Sequence, residues 1–348
     1  MLAAAFAAGL LLALVLTPAG IRIAWQVGYL DHPEARKLHT SATALLGGVV
    51  VFTSALAAWV VDAIVLHRPA HSGGVFLFAG ALVALLVGLW DDRHGMRPLV
   101  KLLGQIAAGG ALLASGRIPH FGLPLPVEVG LALLALVALM NAVNFLDNMN
   151  GMVGGIAPIA FLGFAWMSLE RGANGVAAAQ LALAGACIGF LPHNFPKARI
   201  FLGDAGSLFL GYSLGASALM TMLGAAPGWG RTGALLILAY PAFDMTFVVV
   251  TRMRAGRPVY EGGKDHSNHR LASVLKCPKR TVQLVWASGA VLCVAGLSML
   301  HLNRPLPTVL LWGLSTILLC WSGLRLSSVP IVHSAAPEQP LARVAHER

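Results

Sequence analysis

The chain has 348 residues, 57% of them hydrophobic and only 11% charged, where a soluble domain carries about a quarter. Its net charge is +10, but the basic residues lie in short segments between apolar runs. This excludes a soluble domain and argues against a nucleic-acid surface, leaving a polytopic membrane protein.

Apolar stretches of roughly 17–22 residues, enough for a bilayer-crossing helix, recur along the whole chain. In order they cover 2–22, 45–66, 74–90, 99–115, 127–146, 152–169, 175–192, 205–223, 232–252, 281–301 and 306–325. No basic segment precedes the first, and many spans follow it, so it reads as a retained helix rather than a signal peptide. The spans at 99–115 and 205–223 are rich in Gly, Ala and Ser, which let helices pack closely. With the N-terminus outside, every Lys and Arg falls inside except Arg68, Arg117, Arg171, Arg231 and Arg304. That bias predicts a periplasmic N-terminus and a cytoplasmic C-terminus. The expected fold is all-α: a transmembrane bundle of about 11 spans over 1–326, then a disordered cytoplasmic tail over 327–348. The four cysteines show no paired or metal-type spacing, so no disulfide is expected.

Polar clusters interrupt this apolar background, all of them at predicted inner helix ends. Asp91 and Asp92 close the third span; adjacent carboxylates repel, so they need a cation, a base role or water. Lys101 opens the next span, either facing the same pocket or snorkelling to the interface. In Asn141 to Gly151 (NAVNFLDNMNG), the side chains of Asn141, Asn144 and Asp147 share one helical face. Such a face can bind a nucleotide or metal, or bond helix to helix. Phe201 to Ser207 (FLGDAGS) opens the eighth span. There Asp204 is either an ordinary N-cap or an Mg²⁺ ligand beside a helix N-terminus suited to phosphate. His266 and His269 lie three apart in a loop with Lys264 and Arg270, a set that fits pyrophosphate or anionic headgroups better than zinc. Asp244, inside the ninth span, reads as an interior carboxylate paired to a neighbouring helix.

In order, these motifs resemble the polyprenyl-phosphate N-acetylhexosamine-1-phosphate transferases over about residues 20–275. The resemblance rests on Lys37-Leu-His39-Thr with Gly47-Gly48, on Asp91-Asp92 through Gln105, on NAVNFLDNMNG, on FLGDAGS and on the His266/His269 loop. It implies transfer of sugar 1-phosphate from a UDP-N-acetylhexosamine to undecaprenyl phosphate, with release of UMP and a requirement for Mg²⁺, or Mn²⁺ in its place. By resemblance, Asp91, Asp92 and Lys101 are catalytic, the aspartates orienting or deprotonating the acceptor phosphate. Asp204 and Asp147 hold the metal, with Asp204 the better ligand. Asn141, Asn144, Asn150, Phe201, Lys264, His266, His269 and Arg270 bind substrate, Phe201 against the uracil and the histidines on the diphosphate. The enzyme would face the cytoplasm from a bacterial inner membrane, initiate a surface polysaccharide, and be compatible with a homodimer.

The chain departs from the family pattern at Asn150, where Asp is usual; at Asn268, within an H-x-H-H motif; and at Ala42 and Ala44, where prolines are usual. It lacks the triple histidine of the muramoyl-pentapeptide enzymes, which favours a smaller donor, UDP-N-acetylglucosamine first. The rival readings are that peptidoglycan-precursor branch, an inactive lipid-binding relative, and a secondary transporter. A transporter would place its polar groups near the bilayer midplane, where only Asp244 lies.

Overall fold

The computed structural model describes residues 2–32, 42–65, 72–116, 120, 122–223, 228–260 and 263–330. Lys37 and His39 of the first loop, and the tail from 331, lie outside them.

Helix α1 (Leu2–Gln26) is followed by two short antiparallel strands, β1 (Leu30–Asp31) and β2 (Thr43–Ala44), pairing Leu30 with Ala44 and Asp31 with Thr43. Then come α2 (Gly47–Val65), α3 (Ser72–His94), α4 (Pro98–Leu113), α5 (Leu125–Leu146), α6 (Met152–Leu169), α7 (Asn174–Asn194) and α8 (Gly203–Leu223). A 3-10 turn (Trp229–Thr232) leads into α9 (Gly233–Ile237) and α10 (Ala239–Arg254). The short α11 (Ser267–Leu275) precedes α12 (Pro278–Leu302) and α13 (Pro305–Ser327). The fold is an all-α polytopic membrane bundle, and the four cysteines are unpaired.

Among the described residues, nine helices are long and apolar enough to cross a membrane, or ten with α9 and α10 counted as one bent span. The span expected at 99–115 is α4, only 16 residues long. At 1.5 Å per residue that is about 24 Å, short of the ~30 Å hydrocarbon core. The bend between α9 and α10 is 61°. Pro241, in the first turn of α10, has no N–H for the carbonyl four residues back, so the hydrogen-bond ladder breaks there.

Helix α8 is the axis of the bundle: every residue from Ala205 to Met222 is buried. Its small residues, Gly206, Gly211 and Gly215 among them, let neighbouring helices approach closely. It packs against α3, α5, α2 and α6. By contrast, α13 buries only Thr308 and lies on the outside.

A backbone seam fixes where α8 begins. Ala44 and Ile200 form a parallel bridge, and Phe201 N–H donates to Ala44 O at 2.8 Å. Gly47 and Gly48 donate in turn to the carbonyls of Phe201 and Leu202, each at 3.0 Å. A Cβ on Gly48 would collide with the backbone of Gly206, so this close approach requires glycine. The chain before α2 is thereby locked to the chain before α8.

Candidate active site

The polar clusters meet at one end of the bundle. At its centre, the Lys101 ammonium in the first turn of α4 reaches Asp204 Oδ2 at 2.6 Å, Asp91 Oδ2 at 2.8 Å and Asn144 Oδ1 at 3.4 Å. Lys101 faces the pocket and does not snorkel away. Asn144, in the last turn of α5, donates from Nδ2 to Asp204 Oδ1 at 2.7 Å and to Ser207 Oγ at 2.8 Å. Asp91 also accepts the Met96 N–H at 2.6 Å, closing the turn between α3 and α4. The side chain of Asp204 is 35% exposed against 12% for Asp91, so Asp204 is the carboxylate more open to a ligand.

Asp92 does a different job from its neighbour. Its two oxygens accept the backbone N–H groups of Asp204, at 2.8 Å, and Ala205, at 3.0 Å. The N-cap of α8 is therefore supplied by α3 rather than by Asp204, the capping residue expected from sequence. Gly203 sits at φ +72°, and a Cβ there would lie 2.6 Å from Asp92 Oδ2, so two constraints demand glycine. The first amides of α8, read as a phosphate site, are occupied by Asp92. Asp92, expected to orient or deprotonate the acceptor phosphate, has each oxygen on one of these amides and so holds the start of α8 in place.

Asp147 follows α5 and is partly buried. Burial first, then the negative charges of Asp204 and Asp92, pushes its carboxyl up to about 8. Its neighbour Asn148 accepts the Asn268 Nδ2–H at 2.9 Å, tying this loop to α11. Asn150 donates to Pro196 O at 3.3 Å, and Asn194 Oδ1 accepts the Gly151 N–H at 2.8 Å. Gly151 takes φ +75° and leaves no room for a Cβ against Phe195. Phe201 lies at the mouth of α8, its backbone paired in the seam.

On the far side, His266 is the N-cap residue of α11 and His269 lies in its first turn, with ring centroids 5.8 Å apart. The His266 ring meets Phe145 edge-on at 6.1 Å, one residue from Asn144. Burial, above all, lowers His269 to about 4, with the charge of nearby Lys264 adding to it, so it is neutral at physiological pH. Asp265 accepts from Arg252 Nε at 2.8 Å and Nη2 at 2.7 Å. Burial alone would raise the Asp265 carboxyl, but these bonds and the Arg252 charge hold it below the usual range.

Two residues expected to bind substrate make hydrogen bonds within the protein. Asn141 forms a reciprocal amide pair with Gln105, at 3.2 and 3.0 Å, which joins α5 to α4. This is the helix-to-helix alternative. Arg270 turns away and donates to the carbonyls of Leu326, Ser327 and Val329 at 3.3, 2.9 and 2.8 Å, capping the end of α13. Sequence reasoning assigned no role to Arg252, Asp265, Gln105 and Ser207; a charged pair bracketing the loop 253–264 was the signal for the first two.

The donors around the Lys101 ammonium are all oxygens: Asp91, Asp204 and Asn144. That chemistry fits a hard cation such as Mg²⁺, and not zinc. Among the described residues no three His, Cys, Asp or Glu side chains converge closely enough to hold a metal alone.

The family model for glycosyl transferase family 4 matches residues 75–222, the stretch from α3 to α8. The chain is 28% identical to a probable undecaprenyl-phosphate N-acetylglucosaminyl 1-phosphate transferase of Bacillus subtilis, over 84% of this chain and 83% of that one. It is 30% identical to the decaprenyl-phosphate N-acetylglucosaminephosphotransferase of Mycobacterium leprae, over 82% of each. It is also 30% identical to a phospho-N-acetylmuramoyl-pentapeptide-transferase of Desulforudis audaxviator, over 76% of this chain and 86% of that one. The chain belongs to glycosyl transferase family 4, the polyprenyl-phosphate N-acetylhexosamine-1-phosphate transferases.

Proposed function

We propose that this protein transfers N-acetylhexosamine 1-phosphate from a UDP-sugar, UDP-N-acetylglucosamine first, to undecaprenyl phosphate at the cytoplasmic face of a bacterial inner membrane. The observation that carries the reading is the Asp204 cluster: a half-open carboxylate held by Lys101 and Asn144, beside Asp91, at one end of a membrane bundle.

A second feature suits the lipid. An apolar groove of about 790 Å³ runs between α5, α8, α10 and α13, lined by residues such as Leu139, Leu219, Phe243 and Leu319. Thr251, Arg254 and Ser327 also line it. Thr251 and Arg254 lie at the end of α10 from which Arg252 holds Asp265, and Ser327 ends α13, so an acceptor's tail can lie in the groove with its phosphate toward the site.

The tail enters from bilayer hydrocarbon, so the groove offers it shape and van der Waals packing rather than removal from water. The acceptor phosphate needs little help from a base, because the second pKa of a phosphate monoester is about 6. One of its oxygens forms a bond to the sugar-bearing phosphorus, the anhydride bond breaks, and UMP leaves with the electron pair. The difficulty is bringing two anions together beside several carboxylates. Mg²⁺, held by Asp204 with Asp147 and Asn144 nearby, would supply the neutralising charge. Lys101 adds a fixed cation, Asp92 and Asn144 keep Asp204 in place, and His266 and neutral His269 offer hydrogen bonds to the donor.

The test uses purified protein in detergent with undecaprenyl phosphate, Mg²⁺ and UDP-N-acetylglucosamine labelled at the β-phosphate. The expected result is label in the organic phase, UMP released, and both abolished by EDTA. Transfer from UDP-N-acetylmuramoyl-pentapeptide instead would assign the chain to the peptidoglycan-precursor branch. A folded protein that transfers from no UDP-sugar would overturn the reading.

A further inference from the structure

We infer that Asp244 is a positioning residue that fixes the tautomer of His266 and seats the histidine helix, an inference that rests on the transfer reaction proposed above. Asp244 is wholly buried in α10, and all its bonding goes to the start of α11. Oδ2 lies 2.9 Å from His266 Nδ1, while Oδ1 accepts the Ser267 N–H at 2.9 Å and the Ser267 hydroxyl at 2.5 Å. One turn earlier, the Tyr240 hydroxyl lies 3.4 Å from Ser267 Oγ; two turns later, Arg252 grips Asp265 in a two-pronged pair. Tyr240, Asp244, Val248 and Arg252 recur every fourth residue, so one stripe of α10 carries the whole histidine segment.

A carboxylate buried in a membrane helix costs several kcal/mol, and a neutral side chain can accept from a helix N-terminus just as well. What the carboxylate adds is an obligate acceptor facing an imidazole nitrogen. It requires the proton on Nδ1 and leaves Nε2 as the nitrogen available to a substrate, the arrangement by which outer carboxylates orient metal-bound histidines. No described residue bonds His266 Nε2, and the ring stands against Phe145, beside Asn144. Asp244 thus aims one imidazole nitrogen without touching substrate itself.

Asp244→Asn tests this with nearly unchanged shape. Its amide oxygen keeps both Ser267 bonds, so its NH₂ must face His266 Nδ1 and drive the proton to Nε2. The experiment reads the ¹⁵N shifts of histidine-labelled full-length protein, with His266 assigned by loss of its signals in His266→Ala. The expected result is an Nδ1–H tautomer in the wild type and Nε2–H in Asp244→Asn. Together with this, kcat/KM for the UDP-sugar should fall on the order of 10–100-fold, with the acceptor KM unchanged and no further loss on the His266→Ala background. A wild-type Nε2–H tautomer, or an equal loss of kcat/KM in both backgrounds, would overturn the inference. The wild-type tautomer is read without turnover and needs only that His266→Ala folds for the assignment, so a failure of the transfer reading is told apart from a failure of this one.

Discussion

Replacing Asp92 with alanine removes the acceptor for two amides at the start of α8, and loss of a cap costs about 1–2 kcal/mol. The Asp92→Ala protein should have a lower thermal midpoint and reduced turnover, and Asp92→Asn, which keeps one accepting oxygen for these amides, should recover part of both. Recovery of the midpoint without any recovery of turnover would point to a base role. Asp204→Asn should instead lower turnover by roughly 10²–10³-fold or more in protein that still inserts and folds, because it halves the charge available to a cation. His269 gives a third test. Its folded value is about 4, below the ordinary 6.5, so as pH falls from 6.5 towards 4 the unfolded chain takes up the proton first and stability is lost. His269→Gln should lose less of its thermal midpoint than the wild type between pH 7 and pH 4.5. At this scale the sequence identified the chemistry-bearing side chains but not their partners. Asn141 and Arg270 carry the same polar groups whether they face a substrate, an amide or a helix end. Only the packing of α4 on α5 and of α11 on α13 decides which.

Helix α10 has two faces with different duties. One stripe holds the histidine segment, and the opposite side, with Ala239, Ala242, Phe243 and Thr246, lines the apolar groove. Ala242→Trp should fill part of that groove and raise the acceptor KM about tenfold, equivalent to some 1.4 kcal/mol of lost packing, with the donor KM unchanged. Equal effects on both substrates would mean that α10 itself had moved. Most helices were legible because an apolar run of bilayer length has few alternatives. The break at Leu238 was less so: Pro241 was visible, but the 61° bend depends on how α9 seats against α12. Helix α11 is short and polar and lies in a loop that hydropathy passes over.

The molecule gathers its site from α3, α4, α5, α8 and α11 at a single end of the bundle, and basic residues cluster in the connections at that end. Cysteine substitutions at two exposed positions would establish which side this is, in a background cleared of the native cysteines. In intact spheroplasts, Arg304→Cys should react with an impermeant maleimide and Arg97→Cys should not; the reverse pattern would turn the protein over.

The Asp92 cap also has a history in time. Its carboxylate is synthesised 112 residues before the first amide it accepts. At translation rates of about 5–20 residues per second, it waits roughly 6–22 s for its partner. Through that interval Lys101, made nine residues after Asp92, can already pair with Asp91, but Asp92 has no partner amides and hydration is what keeps it tolerable. The nascent chain must therefore hold this end of α3 at the water-exposed surface of the membrane, where the start of α8 can bring its amides to Asp92 and Asp204 to Lys101.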